Sequence, residues 1–101
     1  MKLFIDTSDR EKIIVGIDEE RFTSDAKTRA SQRLLPFIVA TLKKKGKSTK
    51  DISEIEVATG PGSFTGLRVG VSVAQTLGWV LGVPVNGSDV KNGQAIEIKY
   101  E

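Results

Sequence analysis

Short apolar segments alternate with polar turns in the first part of the chain. Lys2–Asp6 and Lys12–Ile17 are rich in β-branched and apolar residues, and the polar run Ser8–Glu11 between them suits a hairpin turn. A third strand is predicted near Arg21–Ser24, after a second polar turn at Asp18–Glu20. The chain therefore opens with a predicted antiparallel meander of three strands.

The spacing of apolar residues then changes to that of a helix, predicted from about Arg29 to Lys45. Its apolar face consists of Leu34, Ile38 and Leu42, with Leu35 and Val39 beside them. Pro36 lies inside this segment and should kink the helix, because proline removes a backbone donor. Three lysines and Gly46 mark the predicted C-terminal end.

A parallel-sheet unit follows. Ile55–Thr59 predicts a short strand, and the loop Gly60–Ser63 leads into a second helix that reaches Leu81. The next strand is predicted at Val83–Val85, after a right-handed crossover.

The tail breaks this alternation. Lys91–Gly93 is a turn signal, and Gln94–Tyr100 alternates apolar with charged residues, which predicts an amphipathic edge strand. The whole order predicts an α/β fold with a mixed sheet, in which a three-strand meander is followed by helix, strand, helix and strand. This is the order of a ribonuclease-H-like or actin-like half domain, here with an extra C-terminal edge strand, and 101 residues suit a single domain.

Composition narrows the chemistry. With 39% hydrophobic and 28% charged residues, the chain is typical of a globular protein. It contains no cysteine and no histidine, which removes disulfides, thiolate metal sites and the commonest general base, so no catalytic residue and no metal site is predicted. Asp6 precedes any signal-peptide core and no apolar run would span a membrane, so a cytoplasmic location is expected.

The second helix has an apolar arc of about 200°, wider than a sheet alone would cover. Within it, small residues recur at every fourth position: Gly66, Gly70, Ala74, Gly78 and Gly82. Each interior glycine costs about 1 kcal/mol relative to alanine, which calls for a close backbone contact. That contact is either with the protein's own sheet or first helix, or with a helix of another molecule.

The opposite, polar arc of this helix carries Trp79 together with Arg68, Ser72 and Gln75. Tryptophan and arginine are enriched at interface hot spots, although single exposed aromatic residues are also common on free surfaces. At the helix start, Gly60, Gly62 and Ser63 either bind an anion through backbone N–H groups or simply form a tight turn.

The segment Thr59–Gly70, with the sequence TGPGSFTGLRVG, resembles the signature of the TsaB (YeaZ) family of tRNA threonylcarbamoyladenosine biosynthesis proteins. Ile5–Ser8, Arg33–Pro36 and Leu81–Val85 resemble the same family in the same order. The similarity extends from Met1 to about Val85.

The resemblance implies an actin-like (ASKHA), glycoprotease-like domain that is a non-catalytic scaffold. Its partner is the catalytic paralogue TsaD, which transfers threonylcarbamoyl to adenosine 37 of tRNAs that read ANN codons. A TsaE-like ATPase is a further implied partner, a homodimer is expected when the chain is alone, and tRNA is contacted only indirectly. The resemblance places the helical interface at Gln32, Leu35, Val39, Arg68, Gly70, Ser72, Ala74, Gln75, Gly78 and Trp79.

The chain departs from the family pattern in two ways. A single TsaB-like N-terminal domain is expected at residues 1–101, without the family's second domain and with the tail strand in place of a third helix. Asp6 and Thr7 are similar to a first phosphate loop, but with Gly60, Gly62 and Ser63 they make only half of an ATP site, so no cofactor is expected. Thr28–Gln32 stands where the catalytic paralogue has its metal-binding histidine pair.

Two other functions are open to this sequence. A ribonuclease-H-like nuclease would hold two metal ions with carboxylates on the first strand, the first helix and the end of the fourth strand, of which only Asp6 is present. A small RNA-binding module would depend on the cluster Lys43, Lys44, Lys45, Lys47 and Lys50, although a net charge of +2 does not by itself indicate nucleic-acid binding and a solvated helix end has the same composition.

Overall fold

The computed structural model describes residues 1–9, 11–25 and 30–89, with the backbone alone for Ala30 and Phe64. The described elements are β1 (Lys2–Asp6), β2 (Lys12–Ile17), β3 (Glu20–Asp25), α1 (Ala30–Lys44), a single 3-10 turn (Thr49–Asp51), β4 (Glu54–Val57) and α2 (Phe64–Leu81). The meander and the two predicted helices are confirmed, whereas the predicted strand Gln94–Tyr100 lies outside the described residues.

The sheet has the order β3-β2-β1-β4. Neighbouring strands of the meander are antiparallel, and β4 lies parallel to β1 on its other side. The connection through α1 therefore carries the chain from one edge of this sheet to the other. The predicted mixed α/β sheet is confirmed.

One face of the sheet forms the core. Strand registers place Leu3 and Ile5 level with Ile17, Val15, Ile55 and Val57, all of which are buried. The helices add every third or fourth residue to the same cluster: Leu34, Ile38 and Leu42 from α1, and Val71 and Ala74 from α2. Alternate residues of the strands and every third or fourth residue of the helices therefore pack in one cluster. Each fully buried aliphatic side chain stabilises the fold by about 1.5–3 kcal/mol.

The opposite face of the sheet is polar. Lys2 pairs there with Glu56, whose hydrogen bond and charge raise the pKa of Lys2 above 10.5. Arg21 lies across Gly16, and its guanidinium stands 4.4 Å from the centre of the Phe4 ring. A long side chain thus shields the aromatic ring on this face.

Pro36 does not interrupt α1, which continues from Ala30 to Lys44 with the proline exposed. The helix ends before Gly46, whose φ of +69° allows the Lys47 N–H to donate to the Leu42 carbonyl at 2.8 Å. Among the described segments, no helix combines the length and apolar character that crossing a membrane requires.

The predicted strand Val83–Val85 is reduced to a single bridge, in which Val85 lies parallel to Ile55. Asn86 and Gly87 follow with φ of +50° and +77°, and Val85 and Ser88 exchange two backbone hydrogen bonds of 2.9 Å. Asn-Gly in this geometry forms a two-residue reverse turn, so the chain turns back before a strand can extend. The strand predicted at Val83–Val85 therefore lies at its expected place beside β4, but only as this bridge, and the chain turns at Asn86, where the predicted strand ends.

Candidate functional site

Gly66 and Gly70 of the small-residue ridge of α2 face the protein's own sheet. A Cβ on Gly70 would press against the Thr7 hydroxyl and lie 3.5 Å from methyl groups of Ile5 and Val57. A Cβ on Gly66 would meet the backbone oxygen of Thr7. Without these side chains α2 lies close enough for the buried Thr7 hydroxyl to donate to the Gly66 carbonyl.

This geometry corrects the predicted interface at three positions. Gly70, Ala74 and Gly78 are buried within the domain and offer no surface to a partner. Of the two contacts open to the ridge, the structure therefore has the one with its own sheet. The physical reason is that the glycines let the helix backbone approach β1 and β4 closely.

The remaining predicted interface residues lie at or near the surface. Gln32, Arg68 and Ser72 are exposed, and Gln75 is half-buried. Leu35 and Val39 lie one turn apart on α1, and their side chains are 47% and 42% exposed. Trp79, on the last turn of α2, is 60% exposed. The structure thus leaves an apolar pair on one helix and an aromatic residue on its neighbour accessible to solvent.

Val80 is a further exposed apolar residue of α2, and the prediction missed it. It is 66% exposed, and together with Leu35, Val39 and Trp79 it completes the set of large exposed hydrophobic side chains among the described residues. Its signal in the sequence was its place at the margin of the α2 apolar arc, beyond the part that the sheet covers. We call these four residues the helical apolar patch.

The glycine loop packs against the end of β1. The Ser63 N–H donates to the Ser8 carbonyl at 2.9 Å, and a Cβ on Gly62 would stand 2.6 Å from the Ser8 Cβ. The Ser63 hydroxyl caps α2 by accepting from the Gly66 N–H at 3.3 Å. Two backbone donors that an anion would need are therefore already engaged, which favours the tight-turn alternative.

Asp6 and Thr7 lie beside this loop, as the half-site prediction requires, but their polar groups have internal partners. Asp6 accepts hydrogen bonds from the Ser8 N–H at 2.9 Å and from the Ser8 hydroxyl at 2.6 Å. No group of three or more Asp, Glu, His or Cys side chains that could hold a metal ion occurs within residues 1–9, 11–25 and 30–89.

The lysine cluster lies at the end of α1 and in the turn that follows. Lys45 forms an ion pair with Glu20 at 2.6 Å, and the Lys44 ammonium stands 5.7 Å from the centre of the Phe22 ring. Two of the five lysines thus contact the protein's own β3. The carboxylate of Glu20 lowers the net positive charge at this end of the domain, which is the charge that the RNA-binding alternative depends on.

Comparisons with known proteins agree with the fold and the motif. Residues 23–92 match the sequence model of a family described as TsaD, tRNA N6-adenosine threonylcarbamoyltransferase. The chain is 36% identical over 88 residues to the tRNA threonylcarbamoyladenosine biosynthesis protein TsaB of Bacillus subtilis, and 40% identical over 57 residues to TsaB of Escherichia coli. The structure resembles YeaZ from Pseudomonas aeruginosa, with a TM-score of 0.72 and 26% identity over 95% of this chain.

This chain matches less than half of the length of each of these relatives. The alignment with the Bacillus subtilis protein covers 83% of this chain but 38% of that protein, and the alignment with the Escherichia coli protein covers 56% and 25%. The structural match covers 43% of the Pseudomonas aeruginosa chain. With the family match over residues 23–92 and these relatives, the chain belongs to the TsaB (YeaZ) family of tRNA threonylcarbamoyladenosine biosynthesis proteins.

Proposed function

We propose that this chain is a non-catalytic subunit of the tRNA threonylcarbamoyladenosine machinery and binds a TsaD-type transferase through α1 and α2. The observation that carries the proposal is the helical apolar patch. All four large hydrophobic side chains that are exposed in the described residues lie on these two neighbouring helices. Each of these side chains would lose unfavourable contact with water if a partner helix covered it.

Residues around the patch suit a protein interface. Arg68 and Ser72 lie on the same stripe of α2 as Trp79 of the patch, at helical spacing, and Arg and Trp are the residue types that most often dominate binding energy. Gln32 on α1 adds an exposed amide. An apolar centre with a polar rim is the usual arrangement of protein–protein contacts.

The amino-acid content of the chain supports the non-catalytic role. The sequence contains no histidine and no cysteine, so the commonest proton carrier and the most nucleophilic thiol are both missing. At the end of β1, the Asp6 carboxylate accepts hydrogen bonds from Ser8. We therefore assign the transfer chemistry to the partner, and the same surface joins two copies when the partner is missing.

The test is binding of the full chain to the TsaD homologue from the same genome, measured by calorimetry, with Trp79→Ala as the variant. Loss of a hot-spot tryptophan costs roughly 2 kcal/mol, which corresponds to about 30-fold weaker binding. Lys12→Ala is the matched control, because Lys12 is exposed on the opposite face of the sheet. It should leave the affinity unchanged.

Sedimentation equilibrium of the chain alone measures the homodimer, and circular dichroism checks the fold of each variant. A wild-type chain that stays monomeric at high concentration and does not bind the homologue contradicts the proposal. Equal weakening by Trp79→Ala and Lys12→Ala would place the interface elsewhere.

A further inference from the structure

The outer edge of β4 ends in an unusual contact. Ile55 pairs with the following segment as in a parallel sheet: its N–H donates to the Pro84 carbonyl at 2.9 Å, and its carbonyl accepts from the Asn86 N–H at 2.8 Å. Two residues later, Val57 bonds instead to a side chain. The Val57 N–H donates to Asn86 Oδ1 at 2.8 Å, and Asn86 Nδ2 donates to the Val57 carbonyl at 3.0 Å.

These two bonds take the place of a backbone pair. In a parallel strand that continued past Val85, Val57 would bond to the carbonyl of residue 86 and the N–H of residue 88. Here the Ser88 N–H donates to the Val85 carbonyl, and the Ser88 carbonyl accepts from the Val85 N–H across the reverse turn. The Ser88 N–H is therefore not available to Val57. The carboxamide of Asn86 has one carbonyl and one N–H in the same relation as a peptide group, and it meets both needs of Val57.

We propose that Asn86 closes the sheet: its side chain occupies the position of the next strand at Val57 and so prevents another extended chain from adding there. An edge strand with unpaired backbone groups is a template for strand addition. A groove of about 540 Å³ lies beside this edge and is lined by Lys2, residues 54–60, Asn86 and Gly87, so the space next to Val57 is not filled by other described residues.

Only asparagine among the common residues serves both parts of this role. Its φ of +50° lies in the left-handed region that the turn requires, and asparagine tolerates that region better than most residues with a side chain. The same residue therefore turns the main chain away and pairs with the strand that the main chain has left.

Asn86→Gly is the decisive variant, because glycine adopts the same backbone conformation and removes only the carboxamide. In the full chain, amide hydrogen exchange at Val57 should become about tenfold faster, the ratio for one lost hydrogen bond of ordinary strength. The Ile55 amide is the internal control, since its bond to Pro84 does not involve the side chain of Asn86.

Sedimentation should show that Asn86→Gly associates with rising concentration, and that this association persists when Trp79→Ala is added. Asn86→Asp keeps an acceptor for the Val57 N–H and should keep that amide protected, which preserves a test if the glycine variant does not fold. The proposal is overturned if Val57 exchange is unchanged in Asn86→Gly, if adding Asn86→Gly to Trp79→Ala produces no more association than Trp79→Ala alone, or if Asn86→Asp loses Val57 protection fully.

Discussion

Gly70→Ala gives a direct measure of how closely α2 packs on the sheet. Alanine in a helix interior is favoured over glycine by about 1 kcal/mol. The new Cβ would press against the buried Thr7 hydroxyl, and overpacking of this kind costs about 1–3 kcal/mol. We therefore expect a net destabilisation of about 1 kcal/mol, which lowers the melting temperature of a domain this size by about 4–8 °C.

Thr7→Ala should reverse the sign of this effect. Alone, it removes the hydrogen bond from Thr7 to the Gly66 carbonyl and costs about 1 kcal/mol. In its background the nearest remaining neighbours of the Cβ of Ala at position 70 are methyl groups of Ile5 and Val57 at 3.5 Å, which is ordinary van der Waals contact. Gly70→Ala should then stabilise the protein by about 1 kcal/mol, so the coupling in the double-mutant cycle is about 2 kcal/mol.

Urea unfolding followed by circular dichroism supplies the four free energies of the cycle. Gly66→Ala is the control, because its Cβ would meet the backbone oxygen of Thr7, which Thr7→Ala leaves in place. That variant should be destabilised in both backgrounds. If Gly70→Ala stabilises the wild-type chain, the ridge is not tightly packed on the sheet, and its assignment to the domain interior is refuted.

Two further predictions concern single contacts. Ser63→Ala should lower the free energy of unfolding by about 1 kcal/mol, because α2 loses the hydroxyl that accepts from the Gly66 N–H. Ser63→Asp keeps an acceptor and should lose less, and chemical denaturation distinguishes the two variants. Glu56 raises the pKa of Lys2, so the contribution of this pair is complete below pH 10.5 and is lost as pH rises through the folded-state pKa. Glu56→Gln should return the pKa of Lys2 towards 10.5 in an NMR titration and remove that part of the alkaline loss of stability; an unchanged titration would contradict the pairing.

Local periodicity in the sequence was sufficient for most of the elements. Leu34, Ile38 and Leu42 recur at helical spacing because one face of α1 must be apolar, and they are buried as predicted. The signature Thr59–Gly70 identified the family. Three of its glycines, Gly62, Gly66 and Gly70, lie so close to Ser8 or Thr7 that a side chain there would collide with them.

Only the tertiary structure decided which side of α2 meets the sheet. The spacing of Gly66, Gly70, Ala74 and Gly78 is the same whether the ridge packs on its own domain or on another molecule, since both contacts require short side chains. The position of β1 beneath the helix resolves this, and it leaves Val80 and Trp79 exposed instead.

The end of the sheet was likewise beyond the sequence pattern. Val83–Val85 is apolar enough for a strand, but its length depends on hydrogen bonds with residues far along the chain. Asn86 turns the backbone and gives its carboxamide to Val57, 29 positions earlier. Apolar periodicity records which face of an element is buried; it does not record which distant backbone group a polar side chain will meet, because that depends on the assembled sheet.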